Sequence, residues 1–281
     1  MSTGTLYIVA TPIGNLGDIT LRAIETLKSV DAIAAEDTRH TLKLLNSLHI
    51  KNKLISFFEH SPQKKAEDIV ALLEQGQDIA LVSDAGMPII SDPGAPLTAL
   101  CAERGIKVTC IPGACAAVTA LALSAIPAER FIFEGFLSKE KAQRRAEIEK
   151  ALKNEYATII YESPHAIKRT LEDISKAYPD RQISVCRELT KIHEEVIRGS
   201  AKELSDRFAN MQEVKGEFVV VISGFIRQRD NEASDEEILN RLKEEISKKK
   251  TPKSAIAEAA LWFNVNKNRV YKLYTDNKDS F

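Results

Sequence analysis

The sequence predicts an α/β protein made of two successive α/β domains, 1–127 and 128–226, followed by a small helical tail over 234–281. Three observations carry that expectation. Short apolar runs alternate with segments of helical periodicity, the pattern of a largely parallel sheet. The pattern restarts around Ile126, Pro127 and Ala128, and beyond Gly224 the composition turns polar and then basic. A chain of 281 residues, 44% hydrophobic and 28% charged, is long enough for this organisation and has the composition of a soluble globular protein.

Taken in order, Leu6–Ala10 is a short β-type run. It breaks into Thr11–Thr20, where Pro12, Gly14, Asn15, Gly17 and Asp18 dictate a loop. A helix follows over Leu21–Ser29, then a strand at Ala32–Ala35 that leads into the charged cluster Glu36, Asp37, Thr38, Arg39 and His40. Leu42, Leu45 and Leu48 mark the next helix, Leu54–Phe58 a strand, and Glu59–Pro62 a polar turn. Ile69, Leu72 and Leu73 lie on a helix that stops at Gly76, after which Ile79–Val82 has the character of a strand buried on both faces. A helix with Leu97, Leu100 and Cys101 and the strand Lys107–Ile111 lead to PGACAAV, Pro112–Val118.

The second set reads as strand Phe131–Glu134, a charged helix Lys139–Lys153, strand Thr158–Tyr161 and a helix after Pro164. Strand Ile183–Cys186, a short strand at Val196 and Ile197, helix Lys202–Met211 and strand Phe218–Ile222 complete it. A cleft is expected between the two domains. After a polar linker, Arg227–Ser234, the SDEE of Ser234–Glu237 has the capping-box spacing that starts a helix. SAIAEAALWFNVNKNRVYKLY then reads as helix, tight turn, helix, with Asn266 as second N-cap.

The net charge of -1 excludes nothing by itself, because charge is unevenly distributed. From Lys248 to the C-terminus eight basic residues face three acidic ones, an electrostatic footprint for nucleic acid. The plainer account is a solvated helical pair packed through Trp262 and Leu273. Cys101, Cys110, Cys115 and Cys186 have no CxxC spacing, so reduced thiols are expected and no metal site. With no basic leader and no apolar run near 18 residues, a cytoplasmic location is expected.

The most informative stretch is IALVSDAGMPIISDPG, Ile79–Gly94. A strand that runs into small residues exposes its backbone at the carboxyl edge of a sheet, where open α/β folds bind ligands. Without chemistry, the same stretch is a strand-to-helix connection in which Pro93 opens the helix. Other motifs fail: Gly14 and Gly17 do not complete GxGxxG, and there is no P-loop, G-x-S-x-G or H-E-x-x-H.

VATPIGNLGDITLRA, AEDTRHT, EHS, SDAGMPIISDPG, PGACAA, YESPH and CRELTK, in this order, resemble the tetrapyrrole methylase family of S-adenosylmethionine-dependent enzymes. Within it they resemble the branch that methylates a cytidine 2'-hydroxyl in 16S rRNA of the small ribosomal subunit. Members acting on porphyrin-like substrates typically carry GxGPGD in the first loop, where this chain has PIGNLGD, and cobalamin-pathway members and diphthine synthase lack such a basic tail. A precorrin or uroporphyrinogen methyltransferase and a non-enzymatic nucleic-acid-binding module are the alternatives.

The resemblance implies S-adenosylmethionine bound between the two domains, and a homodimer. The first domain would contribute Pro12, Asp84, Ala85, Gly86, Ile89, Ser91, Cys115 and Ala116 to the cofactor, and the second Tyr161, Glu162, Leu189 and Glu217. Ala85 and Gly86 are expected to let the main chain approach it, so that a bulky residue at Gly86 abolishes binding before it affects folding. A ribose hydroxyl is a poor nucleophile near neutral pH, so a base or an oxyanion-stabilising cation is expected. The candidate bases are Asp37, His60, Glu162 and Glu188, with Arg187 and Lys191 as cationic partners. Arg39 and the tail residues Lys249, Lys250, Lys253, Lys267, Arg269 and Lys272 are the candidate RNA contacts. Each has a plainer reading: Asp37 with Arg39 as an ion pair, His60 as a turn residue, Glu188 as a partner of Arg187. Lys139, Lys141, Arg144 and Arg145 are read as a solvated helix face.

Overall fold

A computed structural model describes residues 3–58, 63–92, 94–225, 233–248, 250–263 and 265–278. The expected turn over 59–62, Pro93, most of the linker, Lys249 and Asn264 lie outside the described residues. The chain forms two compact units, Met1–Phe225 and Ile226–Phe281.

The first unit contains two five-stranded sheets. Strands β1 (Thr5–Val9), β2 (Ala32–Ala35), β3 (Leu54–Ser56), β4 (Ile79–Val82) and β5 (Lys107–Ile111) form an all-parallel sheet in the order β3-β2-β4-β1-β5. Helices α1 (Leu21–Ser29) and α2 (Thr38–Ser47) cover one face through Leu27 and Leu45, while α3 (Gln63–Glu74) and α4 (Ala95–Glu103) cover the other through Ile69, Leu73 and Leu97. β4 is central and sends Ile79 and Leu81 into one core and Ala80 and Val82 into the other, which is why its sequence is continuously apolar. β4 and β1 are neighbours whose connections leave in opposite directions, so the loops at their carboxyl ends border a crevice.

Several local expectations shift. Thr38, Arg39 and His40 are the first turn of α2, because the Asp37 side chain accepts from the Arg39 N–H and caps the helix. β3 stops at Ser56, two residues earlier than predicted.

Helix α5 (Ala116–Leu123) crosses to the second sheet, packing Ala117 and Ala120 against Ile159, Val219 and Val221. That sheet comprises β6 (Phe131–Phe136), β7 (Ala157–Glu162), β8 (Gln182–Arg187), β9 (Glu195–Ser200) and β10 (Phe218–Ile222) in the order β6-β7-β10-β8-β9. Only β6 and β7 run parallel; the other three pairs are antiparallel. Helices α6 (Lys141–Lys153), α7 (Ile167–Ala177) and α8 (Ala201–Ala209) close its other face. The stripe Ile167, Thr170, Leu171 and Ile174 makes α7 amphipathic, and each fully buried aliphatic side chain on it stabilises the fold by roughly 1.5–3 kcal/mol. On α6 the solvated-face reading fails at Arg144, which is buried.

The second unit is a three-helix cluster of α9 (Asp235–Ser247), α10 (Pro252–Phe263) and α11 (Lys267–Asp276) around Leu242, Ala259 and Val270. The predicted capping box is formed by Ser234 and Glu237, and Asn266 caps α11 as expected. Trp262, half-exposed, lies under the Arg241 guanidinium at 4.2 Å, and Leu273 packs on this unit's own core.

Candidate active site

The loops after β1, β4 and β5 face the loop after β7 and strand β10 across a cavity of about 470 Å³. Of the expected cofactor residues, Asp84, Ala85, Gly86 and Ser91 line it from the β4 loop, and Cys115 and Ala116 from the start of α5. Tyr161, Glu162, Leu189 and Glu217 line it from the second sheet. Pro12 and Ile89 are replaced by their neighbours: Ile13 and Ile90 reach the wall, while Ile89 packs behind β4 against its core. A Cβ at Gly94 would stand 2.8 Å from both Ile89 Cγ1 and Leu81 Cδ2, so the Gly94 backbone lies tightly over Ile89. Glu36, Asp92, Phe136 and Ser163 line the cavity although the sequence does not nominate them. Asp92 had a signal, since it lies inside the most informative stretch; Phe136 follows a β-bulge at Phe133/Gly135 that no local pattern announces.

Gly86 does not offer its backbone to a ligand as expected. Its N–H donates to Thr11 O and its carbonyl accepts from Thr11 N–H, at 3.1 and 2.9 Å. The residue is glycine because its φ is +82° and a Cβ would meet Ile13 Cγ2 at 3.1 Å.

Three of the four predicted bases, Asp37, Glu162 and Glu188, are engaged by neighbouring groups. Glu162 is buried, accepts from Arg144 Nη2 at 3.0 Å, from the Thr170 hydroxyl at 2.5 Å and from the Ser163 N–H at 3.1 Å, and Arg144 also meets Thr170. Both carboxylate oxygens are thus engaged, and the Glu162 side chain holds the turn at Ser163. Asp37 does not line the cavity. It is paired with Arg39 (Nη2 to Oδ2 2.9 Å), and the hydrogen bond from the Arg39 side chain, then that from its N–H, hold its carboxyl at about 2. Its N–H donates to Asp84 Oδ1 at 3.1 Å, which fixes Asp84 on the wall.

Arg187, Glu188 and Lys191 brace the loop that carries Leu189 and do not themselves line the cavity. Arg187 Nε donates to Lys215 O at 2.7 Å. Glu188 pairs with Lys191, not Arg187: Lys191 Nζ lies 2.9 Å from Glu188 Oε1 and 3.1 Å from Glu217 Oε2. Burial raises the Glu188 carboxyl, but the bonds from Lys191 and the Glu217 N–H outweigh it and the net shift is downward. The Lys191 stem covers Gly14, where a Cβ would stand 2.5 Å from Lys191 Cγ; this requires glycine in the first loop and joins it to the second sheet. His60 lies outside the described residues.

Tyr161 is held as a neutral phenol. Burial and then the neighbouring Cys115 push it up to about 12, against the hydrogen bond it accepts from the Ala117 N–H at 3.1 Å. Its ring packs edge-on against Phe133 and Phe136.

The described wall carries five carboxylates, no lysine or arginine, and apolar patches from Ile13, Ile90, Phe136, Leu189 and Val219. No group of metal-ligating side chains occurs among the described residues. Such a wall suits a ligand that is partly apolar and carries positive charge; it does not suit a phosphate. S-adenosylmethionine, with a sulfonium beside an aromatic base, fits that chemistry.

In the tail, Lys250 is tied to Glu245 and Glu258, and Arg269 to Asp235 (2.6 Å) and the Ala233 carbonyl, so neither presents a free charge. Lys253, Lys267 and Lys272 are exposed, as is Arg39, part of whose guanidinium is held by Asp37. Lys249 lies outside the described residues.

The sequence profile described as Tetrapyrrole (Corrin/Porphyrin) Methylases matches residues 5–205. A curated relative from Bacillus subtilis, named ribosomal RNA small subunit methyltransferase I, is 45% identical over 96% of this chain and 94% of its own. A protein of the same name from Thermotoga maritima is 47% identical over 79% of this chain and 99% of its own, so the remainder of this chain has no counterpart there. Among solved structures, diphthine synthase (TM-score 0.60, 14% identity, 78% of this chain and 89% of that one) shares the fold. So does uroporphyrin-III-C-methyltransferase from Thermus thermophilus (TM-score 0.56, 17% identity, 78% and 94%). A profile match over most of the chain and relatives this similar over nearly its full length place the chain in the tetrapyrrole methylase family.

Proposed function

We propose that this protein is an S-adenosylmethionine-dependent methyltransferase acting on the rRNA of the small ribosomal subunit, and that its target is the ribose 2'-hydroxyl of a cytidine in 16S rRNA. The observation that carries the reading is the acid-walled cavity at the carboxyl ends of β1, β4 and β5, in a chain 45% identical to a small-subunit rRNA methyltransferase. Enzymes named for tetrapyrrole substrates share the fold at only 16–17% identity, which favours RNA over a porphyrin.

S-adenosylmethionine supplies an electrophilic methyl group on a sulfonium. The residues of this chain do the rest. The carboxylates of Glu36 and Asp84 favour positive charge; Ile13, Ile90 and Leu189 form apolar wall that excludes water; and the Arg144–Glu162–Thr170 cluster fixes the turn at Ser163. Alignment of the methyl carbon with the attacking oxygen is the main requirement of an in-line displacement. The reading adopts cofactor-bearing domains over 1–127 and 128–226, and Lys253, Lys267, Lys272 and Arg39 as phosphate contacts. It also adopts a cytoplasmic homodimer; the exposed apolar side chains of Leu21, Val118 and Ile192 support an interface, and no helix among the described residues is long and apolar enough to cross a membrane.

Unmodified small subunits incubated with the protein and methyl-labelled S-adenosylmethionine are expected to acquire label on one ribose of 16S rRNA. Cofactor binding seen by calorimetry without transfer to RNA overturns the reading.

A further inference from the structure

Among the described residues, no base nominated from the sequence both lines the cavity and keeps a carboxylate oxygen without a hydrogen-bond partner, and that leaves the other wall carboxylates. Glu162 is occupied by Arg144 and Thr170, Glu217 by Lys191, Asp84 accepts the Asp37 N–H, and Glu36 has an interaction of its own. Asp92 is different. It is half-buried on the cavity wall, and no lysine, arginine or histidine among the described residues faces it. The groups that do face it are the Ser83 hydroxyl and the Asp84 carboxylate from its own loop, and the Tyr161 phenol from β7.

The backbone around Asp92 is under strain. Ile89 has φ +77° and Ser91 φ +65°, left-handed conformations that are unfavourable for non-glycine residues and that cluster at functional sites. Two structural features hold the loop in this shape. Behind it, Ile89 is clamped beneath Gly94; in front, a Cβ at Gly135 would stand 3.0 Å from Ser91 Oγ, so β6 approaches the loop closely. The strained turn is held from both sides, and what it presents to the cavity is Ile90, Ser91 and Asp92.

We propose that Asp92 is the general base of the methyl transfer, taking the proton from the ribose hydroxyl as its oxygen attacks. This rests on the methyltransferase reading above. In the step, the hydroxyl O–H bond breaks and its proton goes to an Asp92 carboxylate oxygen. The oxygen uses its electron pair to form the O–C bond to the methyl group. The C–S bond breaks, and its pair stays on sulfur. A carboxylate, a hydroxyl and a sulfonium thus become a carboxylic acid, a methyl ether and a neutral thioether, and Asp92 returns its proton to water after release.

The environment tunes Asp92 for this role. Burial pushes its carboxyl up to about 6; a hydrogen bond from Ser83 opposes the rise and the charge of Asp84 adds to it. A base whose pKa lies near the working pH combines availability with driving force.

The test uses the full chain, methyl-labelled S-adenosylmethionine and unmodified small subunits. Asp92→Asn is expected to bind the cofactor in calorimetry like the wild type and to lose about 10²–10⁴-fold in single-turnover rate. The wild-type rate is expected to climb as pH rises through about 6, and this limb to vanish from the residual rate of the variant. A variant that keeps the wild-type rate, keeps the acid limb, or loses cofactor binding overturns the proposal. If circular dichroism shows Asp92→Asn unfolded, Asp92→Glu decides: a loss of more than about tenfold with a displaced limb supports the base, and an unchanged profile overturns it. A wild-type protein that binds cofactor and labels no RNA overturns the functional reading itself, a result distinct from a competent wild type beside a competent variant.

Discussion

Thr11 and Gly86 exchange both of their backbone hydrogen bonds, at 2.9 and 3.1 Å, an isolated antiparallel bridge joining the loop after β1 to the loop after β4. The Thr11 hydroxyl adds a bond to Ser83 O at 3.2 Å. The two loops that flank the crevice therefore hold each other, and cavity wall and fold share the same contacts.

Gly86→Val tests that sharing. With φ at +82° and Ile13 Cγ2 at 3.1 Å from a Cβ, the variant is expected to lose about 1–3 kcal/mol of stability together with cofactor affinity. Urea denaturation and calorimetry on the same samples read the two effects. An unchanged urea midpoint with lost binding would restore the simpler idea that glycine is there only to admit the ligand.

The buried pair Arg144–Glu162 makes a second prediction. Both side chains are almost fully buried, 6% and 4% exposed, so Glu162→Ala strands a guanidinium and is expected to cost roughly 3–5 kcal/mol, while Arg144→Met with Glu162→Leu recovers much of it. A double-mutant cycle in urea measures the coupling. If Glu162→Gln folded normally and yet abolished methyl transfer with cofactor binding intact, Glu162 would be the base instead of a positioning residue.

The sequence made some of this legible and not the rest, for physical reasons. β4 announced itself because a strand buried on both faces must be apolar throughout, and the α9 and α11 caps because Ser234, Glu237 and Asn266 act within three residues of themselves. Pairing across long separations left no such mark. Nothing near Glu162 reveals that Arg144 neutralises it from another helix, nothing near Gly14 that Lys191 covers it, and nothing in β8 or β9 that they run antiparallel to their neighbours. Charged residues near the cavity are therefore easier to nominate than to assign. Asp37 and Glu188 are held by their own neighbours, and Asp92 is inconspicuous among small residues.

Lys191→Met gives a prediction with a pH signature. The Glu188 carboxyl is lowered in the folded protein, so its contribution is present above its ordinary value of 4.5 and is lost as pH falls through the lowered folded value. Lys191 is raised above 10.5 by its bonds to Glu188 and Glu217, which outweigh burial, so its contribution is present below 10.5 and is lost as pH rises through the raised value. The stability gap between wild type and variant is expected to be flat across neutral pH, at most about 1 kcal/mol, and to close in acid and in strong base. Thermal denaturation over a pH series measures it, and a gap that widens in acid would contradict the pairing.

Among the described residues, the tail carries both exposed, unpaired lysines and charges that are already paired. Lys253, Lys267 and Lys272 are exposed, whereas Lys250 serves the buried Glu245 and Arg269 serves Asp235. Replacing the three exposed lysines by alanine is expected to flatten the dependence of log affinity on log salt by about 0.7–0.9 for each phosphate no longer neutralised, with cofactor binding unchanged. Lys250→Ala, in contrast, leaves Glu245 short of a partner and is expected to lower the melting temperature. RNA binding measured over a salt series decides it: an unchanged slope in the triple variant would show that these lysines do not reach phosphate and that the three helices serve another purpose.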